Sequence, residues 1–316
     1  MKILVTGIAG AIGSHMAERL LDDGHEVIGI DALTPYYNPE IKKININDVK
    51  SKGAKVFIKN LVTDDILEIV RGVEIVFHFA AQPGISAATP FGDYLDNNIV
   101  ATYNLLEVVK KLPSLKGFIH ASTSSVYGRS ANGDEMTEPK PTSYYGVTKL
   151  AAEQLALSYQ REHGLPVTVL RFFSVYGERE RPEKLYHKLI KAMHEEKEFT
   201  LYEGAKEHVR SYTYIKDIID GCMLVLENID KAVGEIFNLG NDKTMTTGDG
   251  IAIIEEIMGA PAKFIVLPKR VGDQKETAAD IEKMKKFFGY EPKVSLREGL
   301  ENQVRWYADK IHGKIL

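Results

Sequence analysis

A chain of 316 residues, 44% of them hydrophobic, can bury a full core as one large or two medium domains. Its formal net charge of −4, without any basic run, argues against a nucleic-acid partner, and no apolar stretch reaches the ~18 residues that would span a membrane. The first strand begins at Met1, leaving no room for a signal peptide, and the single Cys222 excludes an internal disulfide, so a cytoplasmic protein is expected. The nine histidines show no ligand spacing, and no metal is expected.

Met1 to Val5 is a short apolar run, followed by Thr6-Gly7-Ile8-Ala9-Gly10-Ala11-Ile12-Gly13 and an amphipathic stretch to Leu21. That is the order of a buried strand, a glycine turn and a helix. Gly7 permits the tight turn, Gly10 a close approach to a pyrophosphate, and Gly13 close packing of helix on strand. The helix start at Ala11 and Ile12 offers N–H groups and a positive dipole end to phosphates. The spacing G-x-x-G-x-x-G is one residue longer than the G-x-G-x-x-G dinucleotide fingerprint. The next apolar run, Glu26 to Ile30, ends at Asp31. A carboxylate there accepts hydrogen bonds from an adenosine ribose and repels a 2′-phosphate, which favours NAD over NADP.

Residues 34–52 read as a loop with some helix, Ala54 to Ile58 as a strand leading to Asn60 and Leu61, and Asp64 to Arg71 as a short helix. Val73 to Phe79 is a strand ending at Ala80 and Ala81, whose small side chains let backbone approach a cofactor. Asp93 to Lys111 is helical, with Leu95, Ile99, Tyr103 and Leu106 on one stripe. Gly117 to Ala121 and Val167 to Arg171 are strands on either side of the helix-forming stretch that begins at Ser143. On that helix Tyr145 and Lys149 lie four apart and share a face. A lysine ammonium beside a phenol lowers its pKa from about 10 and makes it usable as general base and acid. By itself such a pair equally fits a surface helix packing a ring on an alkyl stem.

Strands and helices alternate over the first 170 residues, the pattern of an α/β protein with a Rossmann-type, doubly wound parallel sheet. Ligands bind beyond the carboxyl ends of such strands. Asp31, Ala80, Thr123 and Ser174 all follow strand ends and are expected to converge on one crevice. Beyond Gly177 the pattern loosens into helices at Lys184 to Glu196 and Asp217 to Asn228, strands at Phe199 to Tyr202 and Glu235 to Gly240, and a smaller alternating unit from Ile251 to Phe288. The expected division is a dinucleotide-binding domain, 1–172, and a smaller interleaved α/β substrate domain, 173–316, with segments returning to the first.

Six motifs in order carry a family resemblance: the glycine turn with Asp31, His78-Phe79-Ala80-Ala81-Gln82, the run Ala121 to Gly128, the Tyr145/Lys149 pair, the run Arg171 to Gly177, and the run Arg210 to Asp217. Over nearly its whole length the chain resembles the extended short-chain dehydrogenase/reductase family, specifically the nucleotide-sugar epimerases and dehydratases. Asp31 to Asn38 and Arg181-Pro182 look most like the UDP-glucuronate 4-epimerases. The resemblance implies a bound NAD, contacted by Gly7, Gly10, Ala11, Ile12, Gly13, Asp31, Leu61, Ala80, Ala81, Tyr145 and Lys149. It implies that Thr123 hydrogen-bonds the reacting hydroxyl, that Tyr145 takes the 4-hydroxyl proton, and that Lys149 holds the nicotinamide ribose. Dehydratases of the family carry Asp-Glu after that threonine, and decarboxylases a Glu just before Val-Tyr-Gly. Ser124 and Ser125 stand at those places here, which leaves epimerisation through a 4-keto sugar. By the same likeness Leu201 lies near the uracil, Arg210 and Arg270 contact the diphosphate, and Asp273 the uridine ribose.

Ser174 replaces the Asn common in UDP-galactose epimerases, and Arg181 matches an arginine near the sugar carboxylate, which a guanidinium can grip through two parallel hydrogen bonds. Glu178 and Glu180 depart from the family's Pro-Trp-Gly and are unfavourable beside an anionic sugar unless they turn away. Arg179 and Arg181 then pair with them or face the substrate. The expected reaction is interconversion of UDP-glucuronate and UDP-galacturonate. UDP-glucose/UDP-galactose and UDP-N-acetylhexosamine epimerisation remain alternatives, and an NADP-dependent sugar-nucleotide reductase is disfavoured by Asp31. A homodimer is expected from the 95–106 stripe with Leu150, Leu155 and Leu157, although both stripes also suit packing on their own sheet.

Overall fold

The structure is a computed structural model that describes residues 1–86, 88–268 and 276–315. Seven strands form its central sheet: β1 (Lys2–Thr6), β2 (Glu26–Asp31), β3 (Lys55–Ile58), β4 (Ile75–His78), β5 (Gly117–Thr123), β6 (Val167–Phe172) and β7 (Ile236–Leu239). All pair in parallel, in the order β7-β6-β5-β4-β1-β2-β3. Parallel strands covered on both faces read as continuous apolar runs, and every residue of β5 and β6 is buried. Alternation sends Ile3, Val5, Ile75 and Phe77 into one core, and Leu4, Val76, Phe118 and Val169 into another on the opposite face. The winding reverses between β1 and β4, which opens a crevice at the carboxyl ends of the strands there.

The last strand comes from beyond residue 173. β7 extends the sheet along β6, Phe237 opposite Leu170 and Asn238 opposite Arg171, so a late stretch of chain completes the central sheet. The rest of the chain beyond residue 173 includes the helices Leu185–His194, Thr247–Met258 and Leu296–Lys310 and a parallel pair of short strands, Phe199–Tyr202 with Phe264–Leu267.

Two elements differ from the sequence reading. Residues 34–52, expected as a loop with some helix, are helical over most of their length, Pro39–Ser51: Asn38 caps the helix by accepting from the Glu40 N–H at 3.0 Å, proline occupies its first turn, and Ile41, Ile46 and Val49 are buried. The helix expected over Asp93 to Lys111 is broken by a π-turn at Leu95–Val100 between the α segments Phe91–Tyr94 and Ala101–Val109. The wider turn shifts the phase of the side chains. Leu95 and Tyr103 are exposed while Leu106, in the same α segment as Tyr103, is fully buried, so the expected stripe does not share one face.

Candidate active site

The dinucleotide end is built by close backbone approach. Gly7, at φ +72°, donates its N–H to Ile30 O at 2.8 Å, and a Cβ on it would stand 2.8 Å from the Ala80 nitrogen. A Cβ on Gly13 would stand 2.2 Å from Gly7 O. These two positions need glycine, and they lock β1, β2, β4 and the Ala11–Asp22 helix together. No side chain caps that helix and no acid lies in its first turn, so an electropositive helix end faces the crevice. At the end of β2, Asp31 accepts from Ala9 N–H at 3.0 Å through Oδ2 and from Leu33 N–H at 2.8 Å through Oδ1. Each carboxylate oxygen has a further lone pair for a ribose hydroxyl. Backbone cradle, helix end and carboxylate fit an NAD.

The reacting end sits where β5 stops. Thr123 is its last residue and accepts from the Ser125 N–H at 3.2 Å, starting the short turn Ser124–Tyr127. The helix Tyr144–His163 begins at Ser143, whose Oγ accepts from Gly146 N–H at 3.1 Å, which puts Tyr145 in the first turn and Lys149 one turn on. Lys149 is 4% exposed, and its ammonium donates to the Ala121 carbonyl. Burial takes its pKa down to about 8, with Glu153 opposing. Tyr145 is half-buried. Burial raises its phenol above the ordinary value, and the Arg181 charge and the Thr123 hydroxyl pull it back. In this structure the Lys149 ammonium is turned to the Ala121 carbonyl, and Arg181 is the first of the groups that draw the phenol back toward its ordinary value.

All the candidate residues within the described part of the chain line one cavity of about 720 Å³: Gly7, Gly10, Ala11, Ile12, Gly13, Asp31, Leu61, Ala80 and Ala81 at one end, then Thr123, Ser124, Ser125, Tyr145 and Lys149, then Ser174, Arg181, Leu201 and Arg210. Arg270 and Asp273 lie outside the described residues. Ser174 holds φ +34°, in the left-handed region that costs a residue with a Cβ roughly 1–2 kcal/mol. Its Oγ lies 3.5 Å from that of Thr277.

The charged loop before Pro182 resolves itself by contact. Glu178 accepts from the Tyr214 hydroxyl at 2.8 Å, and Glu180 takes Gln303 at 2.7 Å and Lys184 at 3.1 Å. Arg179 binds Glu18 at 2.6 Å and Asp48 at 3.2 Å. Neither arginine pairs with Glu178 or Glu180. Arg181 instead meets Glu183 at 2.5 Å, a residue that sequence reasoning passed over. Asn98 was also missed. From within the π-turn its Oδ1 accepts from Gln82 N–H at 2.8 Å and its amide donates to Thr148 Oγ1 at 2.9 Å, tying the end of β4 to the Tyr145 helix. Glu183 stood two residues from a singled-out arginine and was legible as a candidate; no local pattern announces the π-turn.

Residues 3–240 match the family described as NAD dependent epimerase/dehydratase. A Bacillus subtilis (strain 168) protein described as an uncharacterized UDP-glucose epimerase, YtcB, is 39% identical over 99% of this chain and 100% of its own. The UDP-glucuronate 4-epimerase of Thermodesulfobacterium geofontis is 35% identical over 98% of this chain and 96% of its own. The crystal structure of the Bacillus cereus UDP-glucuronic acid 4-epimerase in complex with UDP-glucuronic acid and NAD superposes with a TM-score of 0.92 at 38% identity, covering 98% of this chain and 99% of that one.

Proposed function

Because the chain belongs to the NAD-dependent epimerase/dehydratase family, we propose that it is a 4-epimerase of UDP-sugars that interconverts UDP-glucuronate and UDP-galacturonate. The observation that carries the choice of sugar is the Arg181 guanidinium at the cavity wall beside Tyr145, with the neighbouring acids Glu178 and Glu180 engaged elsewhere. Bound NAD supplies a hydride acceptor that becomes the donor for the return step. Tyr145 removes the 4-hydroxyl proton as C4 is oxidised and returns it after the 4-keto sugar has turned over. Thr123 orients that hydroxyl, and Lys149 holds the cofactor ribose. Ser124 and Ser125 give the sugar hydroxyl partners and no carboxylate, so nothing there promotes loss of water or of carbon dioxide.

Ser174 and Arg181 bind the C6 end, Leu201 the uracil side and Arg210 the diphosphate, with Arg270 and Asp273 assigned to the diphosphate and uridine ribose. One specific observation favours a second reading, UDP-glucose/UDP-galactose epimerisation: the Arg181–Glu183 pair presents a neutral wall to a neutral sugar. The enzyme works as a homodimer in the cytoplasm; the exposed apolar side chains of the two helices near the site and the buried, unpaired Cys222 support that reading. Among the described residues no helix is long and apolar enough to cross a membrane. Purified protein assayed without added cofactor on UDP-glucuronate, UDP-glucose and UDP-N-acetylglucosamine is expected to show its highest kcat/KM on the first. A preference for a neutral sugar sinks the uronate reading, and a requirement for stoichiometric NADPH sinks the epimerase.

A further inference from the structure

Arg181 is not an open fork. Its Nη1 donates to Glu183 Oε1 at 2.5 Å, and the two side chains are only 22% and 34% exposed. Both line the cavity. Among the described residues the second carboxylate oxygen, Oε2, is buried and meets no well-aligned hydrogen-bond donor, although the Tyr36 hydroxyl lies close to the carboxylate. The surroundings are tight. A Cβ built on Gly84 would lie 3.1 Å from both Arg181 Nη1 and the Tyr36 hydroxyl, so the bare backbone at Gly84 brings tyrosine and guanidinium together. The Tyr94 hydroxyl donates to the Gly84 carbonyl at 2.7 Å, and the Tyr94 ring lies 6.3 Å from that of Tyr145. Gly84 and Tyr94 thus link the Arg181–Glu183 pair to Tyr145.

The group that Arg181 already holds is chemically the group that a uronate would bring. One edge of a guanidinium takes one carboxylate, and a second carboxylate beside it is repelled. We infer that Glu183 is the specificity-determining residue of the sugar subsite: an anionic sugar binds by exchanging its carboxylate for that of Glu183 on Arg181, whereas a neutral hexose leaves the pair closed. The inference rests on the proposed placement of the sugar C6 end at Arg181, and not on which sugar is native. Glu183 acts here as an internal competitor, so the preference for a uronate is weaker than a free arginine would give. Removing its charge without its shape releases the arginine for the substrate.

The test is the ratio of kcat/KM for UDP-glucuronate to that for UDP-glucose, measured in wild type, Glu183→Gln and Glu183→Ala, with bound NAD per chain as the check that each variant is folded. The ratio is expected to rise about tenfold in Glu183→Gln, mainly through a lower KM for UDP-glucuronate, and to rise in Glu183→Ala as well. A ratio that stays within about twofold of wild type in the folded variants, or that moves toward UDP-glucose, overturns the inference. A wild type that prefers UDP-glucose, joined to a Glu183→Gln enzyme that gains UDP-glucuronate, overturns the native-substrate reading and supports the role of Glu183.

Discussion

Glu153 holds Arg171 by two hydrogen bonds, Nη2 to Oε1 at 2.6 Å and Nε to Oε2 at 3.1 Å, with both side chains almost wholly out of water. Ser122 donates to the same Oε2 at 2.7 Å, and Arg171 reaches on through the Tyr127 hydroxyl, 2.8 Å away, to Asn238. Glu153 lies one helical turn beyond Lys149. Ser122 stands between Ala121, which accepts from Lys149, and Thr123. The network therefore bolts the helix that carries Tyr145 and Lys149 to the ends of β5, β6 and β7, and a satisfied buried network of this kind fixes one geometry.

Breaking that bolt on one side is expected to be costly. Glu153→Gln leaves the Arg171 cation buried and uncompensated, and stability to urea should fall by roughly 3–5 kcal/mol. Replacing both partners, as in Glu153→Leu with Arg171→Met, should recover most of the loss, because apolar groups of similar size substitute well for a buried pair. A single variant that loses less than about 1 kcal/mol would show that the pair contributes little to the fold.

Tyr145→Phe removes one oxygen from a half-buried ring and leaves the cavity wall in place. Turnover should fall by about 10²–10⁴-fold, the usual contribution of a general acid–base. NAD should still copurify at close to one per chain. Near-normal turnover would mean that another group moves the proton.

Lys149 gives a pH signature. Its folded-state pKa is about 8 against an ordinary 10.5, with burial as the main cause. Below pH 8 the ammonium is charged in both folded and unfolded chains, and the cost of burying it, about 3 kcal/mol, is fully expressed. Between 8 and 10.5 only the unfolded chain keeps the proton, so the folded state gains stability as pH rises. With NAD stripped, Lys149→Met should be the more stable protein at pH 7 and should lose that advantage by about pH 10. An advantage that does not change with pH would show that the amine titrates normally.

The parts of this molecule that were legible in the sequence are those fixed by local spacing or by uniform burial. The glycine turn and Asp31 declare themselves because a tight turn and a close Gly13–Gly7 approach tolerate no side chain. Tyr145 and Lys149 do so because a helix places residues four apart on one face. The strands do so because both of their faces are covered. What stayed hidden depends on partners far along the chain. Glu178 is drawn to Tyr214, Glu180 to Gln303 and Arg179 to Glu18, and no local pattern announces those contacts. The helix Leu296–Lys310 is mostly polar, and its start is marked only by the Ser295 cap. The π-turn at Leu95–Val100 interrupts an expected α-helix without a local sequence signal.

The observed burial of these helices changes the surface on which a dimer would form. Leu106 and Leu157, expected at a contact between copies, are buried in the chain's own core. Phe91, Leu95, Tyr103, Tyr144 and Val147 are exposed on the two helical segments, and the Phe91 and Tyr144 rings meet edge-on with centroids 5.2 Å apart. Tyr103 is 47% and Tyr144 61% open to water. In the proposed homodimer a second copy laid on the same helices would cover this face by two-fold symmetry. Light scattering at micromolar concentration should give about twice the 35.3 kDa chain mass. Leu95→Arg with Tyr103→Glu should give the single-chain mass with the fold intact, since both side chains already face water. Leu106→Ala should behave in the opposite way, losing roughly 2–5 kcal/mol of stability through a core cavity while the folded protein keeps the double mass. A wild type that runs at the single-chain mass, or a Leu95→Arg/Tyr103→Glu variant that keeps the double mass, would rule out this face as the contact.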